Sequence, residues 1–254
     1  MRVALLGPEG TYTHQAAEKY FGEFEPDFCS TIREVFESET DTKFVPVENS
    51  LGGGVSDTID LLRKNGNKIT AEVVLPINHA LISKSGLEEI ETIKSHPQAL
   101  AQSEEIISEH EWEKVETDST AKAVQEIEEG EAALASEIAA EINEMPIVQT
   151  AVQDTETNTT RFFVLNGELE PQEKASLILE PGEDRPGLLH SMLSCFAGHQ
   201  INLSHIQSRP TKKGLGEYFF YVEAEAADER LDKAVQCLET YGDIKLLGKY
   251  SEVE

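Results

Sequence analysis

Positive charge is what this chain has least of. Its 254 residues carry 21 Lys and Arg against 48 Asp and Glu, a formal net charge of −27 at pH 7. Residues 101–150 alone hold fourteen acidic side chains, answered only by Lys114 and Lys122. A surface of that sign repels phosphate backbones and argues against a nucleic-acid partner. Long apolar runs are missing too. None approaches the roughly 20 residues a helix needs to span a bilayer, so no membrane partner is expected. The opening segment MRVALLG is short and is interrupted by Pro8, which does not suit a secretory leader and points to a cytoplasmic address. The three cysteines, Cys29, Cys195 and Cys237, are far apart and match no CxxC spacing, so they are expected to serve as small buried hydrophobes. The seven histidines form no HExxH pair, and no metal and no cofactor is expected.

What remains is regular. Apolar residues recur at strand and helix spacing throughout, so the acid excess is not a sign of disorder. It fits adaptation to a salt-rich cytoplasm, because the Debye length falls to about 3 Å at 1 M salt and carboxylates then repel one another weakly.

The first two thirds alternate strand and helix. Short apolar runs at 3–7, 44–47, 73–75, 80–82, 92–93, 132–134 and 147–148 read as strands, and 161–165 is strongly apolar. Helices are predicted over 13–21, 55–63, 98–108, 120–128 and 136–142, with Thr31 and Glu34 forming a capping-box pattern for one more. Such alternation predicts an α/β domain with mostly parallel pairing, its site outside the strand carboxyl ends. Residues 166–173 are polar and contain Gly and Pro, as a linker would. Beyond them a strand (175–179), helix (186–197), strand (201–208), strand (217–224), helix (228–240) and strand (244–247) give the βαββαβ order of a ferredoxin-like α+β domain. Pro186 suits the first helical turn.

Three strand-to-helix connections could hold an anion: residues 7–12, residues 48–54, and Ser119 with Thr120. Each places hydroxyls and backbone N–H groups at the positive end of a helix. None contains the GK[ST] of a phosphate loop. A further cluster is SHPQAL at 95–100. Another is DTETNTTRF at 154–162, where Arg161 stands out because cations are scarce.

Together these segments resemble a family. GPEGTYTHQAA (7–17), PVENSLGGGV (46–55), SHPQALAQ (95–102) and NTTRFFVL (158–165) look like the motif series of the prephenate dehydratases, in that family's order. DRPGLLH (184–190) and INLSHIQSRP (201–210) resemble the two effector loops of an ACT regulatory domain. Two departures stand there: Gln207 where the family pattern has Glu, and Leu188 where it has a smaller residue. The resemblance implies a two-lobed, periplasmic-binding-protein-like catalytic domain over 1–167 and an ACT domain over 175–254. It also implies decarboxylating dehydration of prephenate to phenylpyruvate, with phenylalanine as effector and a homo-oligomer, dimer or tetramer. Carried over residue by residue, it makes Thr160, Arg161 and Phe162 the catalytic motif, with Thr160 as donor to the departing ring hydroxyl. Thr11, Tyr12, Glu48, Asn49, Ser50, His96, Thr120 and Asn158 become substrate-binding positions, and Gly187, Leu188, Asn202, Gln207, Ser208, Arg209 and Pro210 effector-binding ones. Two other readings are an arogenate dehydratase and a non-enzymatic amino-acid-binding regulator on the same scaffold.

Consecutive residues of an extended strand face opposite ways, so Thr160 and Arg161 cannot both face one ligand unless the chain turns. Either the chain turns at Thr160, which is the expectation, or Arg161 serves structure while backbone N–H groups bind substrate. Arg161 or the helix N-termini should hold the carboxylate that survives the reaction. The other carboxylate loses its charge as carbon dioxide, and clamping it would only stabilise the ground state.

Overall fold

The structure is a computed structural model that describes residues 1–155, 157–168, 172–212 and 217–253. The chain divides into two compact units, residues 1–55 with 73–162 and residues 56–72 with 163–253. Part of the expected linker, residues 169–171, lies outside the described residues. Among those described, no helix is long and apolar enough to cross a membrane.

The first unit begins with β1 (Arg2–Leu6), α1 (Tyr12–Phe21), β2 (Glu25–Cys29), α2 (Ile32–Glu37), β3 (Thr42–Asn49) and the short β4 (Gly53–Gly54). After α3 (Ser56–Lys64), which belongs to the second unit, β5 (Ile69–Pro76) leads on to β6 (Ala80–Ser83). Then come β7 (Thr92–Ser95), α4 (Pro97–Ala101), α5 (Glu104–Glu109), β8 (Glu113–Glu116), α6 (Thr120–Glu126), β9 (Glu131–Ala135), α7 (Glu137–Ile142) and β10 (Ile147–Gln149). The chain returns in β11 (Thr159–Leu165).

These strands make two sheets, one for each lobe. The first runs β5-β11-β3-β1-β2, with β4 on β3; the second runs β10-β6-β9-β7-β8. In β1, Val3, Ala4 and Leu5 are fully buried between two parallel neighbours, which is why it reads as an unbroken apolar run. The expectation of mostly parallel pairing fails in the second lobe. There β7 pairs in parallel with β8 and β9, but β6 runs antiparallel to both β9 and β10. Where one helix was expected over 98–108, there are two, α4 and α5. The carboxylate of Asp154 accepts the backbone N–H groups of Glu104 and Glu105 at 2.9 and 3.1 Å, starting a new helix from 50 residues away.

The second unit takes the βαββαβ order: β12 (Lys174–Pro181), α8 (Leu188–Gly198), β13 (Leu203–Pro210), β14 (Tyr218–Ala224), α9 (Glu229–Leu238) and β15 (Gly242–Tyr250), followed by β16 (Glu252–Val253). Its antiparallel sheet runs β13-β14-β12-β15. Leu177, Leu179 and Val222 pack against Met192, Phe196, Leu231 and Leu238 of the two helices. Pro186 precedes the first turn instead of entering it, because Gly187 at φ 81° is the N-cap of α8. Cysteine usage is also corrected. Cys195 and Cys237 form a disulfide, 42 residues apart in sequence, that ties α8 to α9, and only Cys29 is a free thiol. Their separation hides the pairing, which needs two helices side by side.

Candidate active site

A cavity of about 320 Å³ lies between the two lobes of the first unit. Two connecting segments form its back wall and bond to each other: Ile77 N–H donates to the Asn158 carbonyl (2.8 Å), and Val152 N–H to that of His79 (3.0 Å). The helices α1, α4 and α6 all begin on its rim. Thr11 caps α1, accepting from His14 N–H at 3.3 Å, and Ser119 caps α6, accepting from Lys122 N–H at 3.1 Å. The first-turn N–H groups of Tyr12, Thr13, Thr120 and Ala121 have no intrahelical acceptor and are available to an anion. Gly10, at φ 81°, makes the turn into α1, and its carbonyl is held by the Ser136 hydroxyl at 2.7 Å. A Cβ there would stand 3.3 Å from Ala139 in a conformation only glycine adopts readily.

Asn49 is the hub of the site. Its Oδ1 accepts the backbone N–H groups of Leu51 (3.1 Å) and Gly52 (2.8 Å), which fixes its carboxamide orientation. Its Nδ2 then donates to Asn158 Oδ1 (2.9 Å), Thr160 Oγ1 (3.0 Å) and the Thr159 carbonyl (3.2 Å). Asn158, 2% exposed, passes the direction on, with its Nδ2 donating to Gln102 Oε1 at 3.0 Å. Gln102 Oε1 also stands 2.9 Å from His79 Nε2, and the Tyr12 hydroxyl bonds both His79 Nδ1 and, at 3.2 Å, the Asn78 carbonyl. Burial pushes the His79 pKa down, against the hydrogen bond to Gln102, and the ring is neutral. Burial, helped by the charge of Glu137, pushes the Tyr12 phenol up, so it stays protonated.

The expected turn at Thr160 is absent. Residue 160 is the second of the seven-residue strand β11, so Thr160 and Phe162 line the cavity while Arg161 faces the other way. Arg161 Nη1 donates to Glu48 Oε2 at 2.7 Å, and neither residue lines the cavity. The neighbouring carboxylate thus takes the guanidinium, one of the two groups expected to hold the surviving carboxylate. Ser50 locks the loop instead of lining the wall: its hydroxyl donates to the Thr157 carbonyl (3.1 Å) and accepts Thr159 N–H (3.0 Å). Phe162, 1% exposed, is an apolar floor stacked on Phe44 at 5.0 Å between centroids. Thr11, Tyr12, Asn49, His96, Thr120 and Asn158 all reach the wall. His96 caps α4 through Nδ1, which accepts Gln98 N–H at 3.2 Å. His79 and Gln102 were not singled out by sequence. The only signal for His79 is a polar Asn-His pair between two apolar strands. Among the described residues no lysine or arginine lines the cavity, and Asp118, already paired with Lys122, is the only carboxylate that does.

A second cavity, of about 690 Å³, lies in the second unit. Gly187, Leu188 and Ser208 line it, together with Asp184, Arg185, Glu217, Tyr218 and Asp243. Asn202, Gln207, Arg209 and Pro210 stand outside it. Alternation along β13 separates Ser208 from Arg209, whose guanidinium bonds Asp60 Oδ1 (2.9 Å) and Ser56 Oγ (2.6 Å) of α3. Asn202 Nδ2 donates to Glu225 at 2.8 Å.

The family model described as Prephenate dehydratase matches residues 3–169, and that described as ACT domain matches residues 182–240. The prephenate dehydratase of Methanocaldococcus jannaschii is 38% identical over 260 residues, covering 96% of this chain and 95% of its own. The crystal structure of the prephenate dehydratase from Staphylococcus aureus subsp. aureus Mu50 matches with a TM-score of 0.86 at 32% identity, covering 98% of this chain and 100% of its own. That of the Arthrobacter aurescens prephenate dehydratase in complex with L-Phe matches at 0.88 and 29% identity, covering 99% and 90%. With the motif residues gathered on one interlobe wall and both modules matched in order, the chain belongs to the prephenate dehydratase family and carries an ACT domain.

Proposed function

We propose that prephenate is dehydrated and decarboxylated in the interlobe cavity, with Thr160 as the donor to its departing ring hydroxyl. The observation that carries this is the direction of one hydrogen bond. Thr160 Oγ1 accepts from Asn49 Nδ2, so its own proton is left for an acceptor, and none lies among the described residues. The wall therefore offers an O–H where a leaving oxygen can sit. As the ring carboxylate departs as carbon dioxide, its electron pair enters the ring and the ring C–O bond breaks. The hydroxyl leaves with a proton, as water, and the product is phenylpyruvate. Threonine is a weak acid, so it works by a positioned hydrogen bond polarised from Asn49, with the proton drawn finally from solvent.

Charge recognition falls to the helix starts. The first-turn N–H groups and hydroxyls of α1 and α6 suit the carboxylate that keeps its charge. That no lysine or arginine stands on the wall among the described residues fits a reaction in which the other carboxylate must lose its own charge. One carboxylate, already paired, also favours the keto acid prephenate over the ammonium-bearing arogenate.

The proposal extends to regulation and setting. Phenylalanine is the effector, in keeping with the relative whose structure is a complex with L-Phe, and it binds through the charged cavity of the second unit in a homodimer or tetramer. The acidic composition fits a cytoplasmic, salt-rich setting.

Steady-state kinetics on prephenate test the catalytic assignment. Thr160→Ala is expected to lower kcat by about 10²- to 10⁴-fold with KM little changed. Arg161→Ala, which removes a half-buried ion pair, should cost about 1 kcal/mol of stability with a smaller effect on KM. An unchanged kcat in Thr160→Ala would remove the threonine from the chemistry.

A further inference from the structure

The hydrogen-bond chain behind Thr160 has one member whose state no backbone group fixes. Asn49 is turned by the backbone of Leu51 and Gly52, Asn158 by Asn49, and Gln102 by Asn158. His79 is different, because a neutral imidazole can carry its proton on either nitrogen. Gln102, turned by Asn158, presents Oε1 to His79 Nε2, which calls for the proton on Nε2 and leaves Nδ1 to accept from the Tyr12 hydroxyl, which also stands 3.2 Å from the Asn78 carbonyl. Gln102 then accepts on Oε1 alone and keeps both Nε2 protons, with its side chain on the cavity wall.

The other tautomer would present a bare Nε2 to Gln102. That favours a turned carboxamide, with its NH₂ toward His79 and its oxygen toward the cavity. Asn158 Nδ2 would lose its acceptor, and Asn158 cannot turn in reply, because its Oδ1 already accepts from Asn49. A misplaced acceptor oxygen would also face a departing hydroxyl and a carboxylate, both of which need donors. The ring is 2% exposed and its backbone N–H is held by Gln153 Oε1 at 2.9 Å, so His79 cannot swing clear.

We propose that His79, held as the Nε2–H tautomer between Gln102 Oε1 and the Tyr12 hydroxyl, is a positioning residue of the reaction. It keeps Gln102 turned so that the wall beside Thr160 presents N–H and O–H donors and no acceptor. This rests on the assignment of the cavity as the prephenate site.

The test is a pair of variants and a double-mutant cycle, read as kcat and KM on prephenate, with melting temperatures alongside. His79→Asn keeps a polar group beside Tyr12 but cannot reach Gln102, and it should lose roughly 10²-fold in kcat with KM nearly constant. His79→Gln, whose amide N–H reaches Gln102, should recover most of that loss. Tyr12→Phe should lower kcat in the parent enzyme and cost clearly less in the His79→Gln background, where no tautomer needs fixing. Equal kcat for His79→Asn and His79→Gln overturns the proposal, and so does an equal cost of Tyr12→Phe in both backgrounds. Thr160→Ala in the same assay separates the two levels. If it keeps its kcat, the underlying site assignment falls. If it loses kcat while the His79 variants match each other, only the role of His79 falls.

Discussion

The two cavities of this protein are built on opposite electrostatic plans. The cavity of the first unit is about 320 Å³ and, among the described residues, carries no lysine or arginine and a single carboxylate, already paired. That of the second unit is about 690 Å³ and is lined by Asp184, Arg185, Glu217 and Asp243. On the proposed assignment, one would read its ligand with neutral amides, hydroxyls and helix starts, the other with full charges of both signs. The difference follows from what each ligand does after binding. A reacting carboxylate must lose its charge, so a tight charge clamp would oppose the step it should assist. A bound amino acid keeps its ammonium and carboxylate, and opposite charges on the wall can meet both. Neutral donors also need orientation, which explains the relay of side-chain amides in the first cavity and its lack of counterpart in the second.

The units differ likewise in what holds them. The second is cross-linked by Cys195–Cys237, closing a loop of 42 residues. Chain-entropy arguments give such a bridge about 4 kcal/mol. Reduction, or Cys195→Ser, should therefore cause the largest change in thermal stability and leave kcat without effector untouched. Differential scanning calorimetry with and without reductant reads it, and a melting curve indifferent to reductant would show that the tether contributes little. Next in size, Asn49→Ala removes the hub, leaving Thr160 unpolarised and Asn158 unaligned, and kcat should fall about 10²-fold. Phenylalanine binding to the second unit, measured by titration calorimetry, should survive that change. Loss of both would mean that the two cavities are less separable than their chemistry suggests.

The smallest effect concerns pH. Burial lowers the pKa of His14, against the charges of Glu18 and Glu9, and also that of His79. Below about pH 6.5 the unfolded chain takes up protons at these sites while the folded chain still refuses them. Stability contributed by keeping both rings neutral is thus complete above that pH and is lost as pH falls through it. Urea unfolding between pH 7.5 and 5 should show the decline, and His79→Gln should flatten it. A slope unaltered by that substitution would place the titration elsewhere.

Much of the fold was legible. The βαββαβ order of the second unit and the helix starts at Thr11, His96 and Ser119 follow from periodicity and capping residues. Besides the two-residue β4 and β16, two strands were not legible, β2 (EPDFC) and β8 (EKVE), and each of these lies at the edge of its sheet with little full burial. Edge strands carry charge and lack the apolar run that marks a central strand. The break between α4 and α5 was hidden as well, because its cap, Asp154, comes from a segment 50 residues on. That break frees Gln102 to end a helix and meet both Asn158 and His79.

Composition, periodicity and motif order determined, from sequence alone, the α/β and ferredoxin-like modules, the family resemblance and the threonine at its centre. They also stated the conflict between Thr160 and Arg161 on one strand, though not its outcome. Tertiary structure decided that Arg161 turns away to Glu48, that Cys195 finds Cys237, and that a chain of amides ending at His79 aims the donors inward. The reason is range. A strand's alternation and a helix's cap are set by residues within one turn of each other. The direction of a hydrogen bond depends on partners brought together from 23 to 111 positions apart.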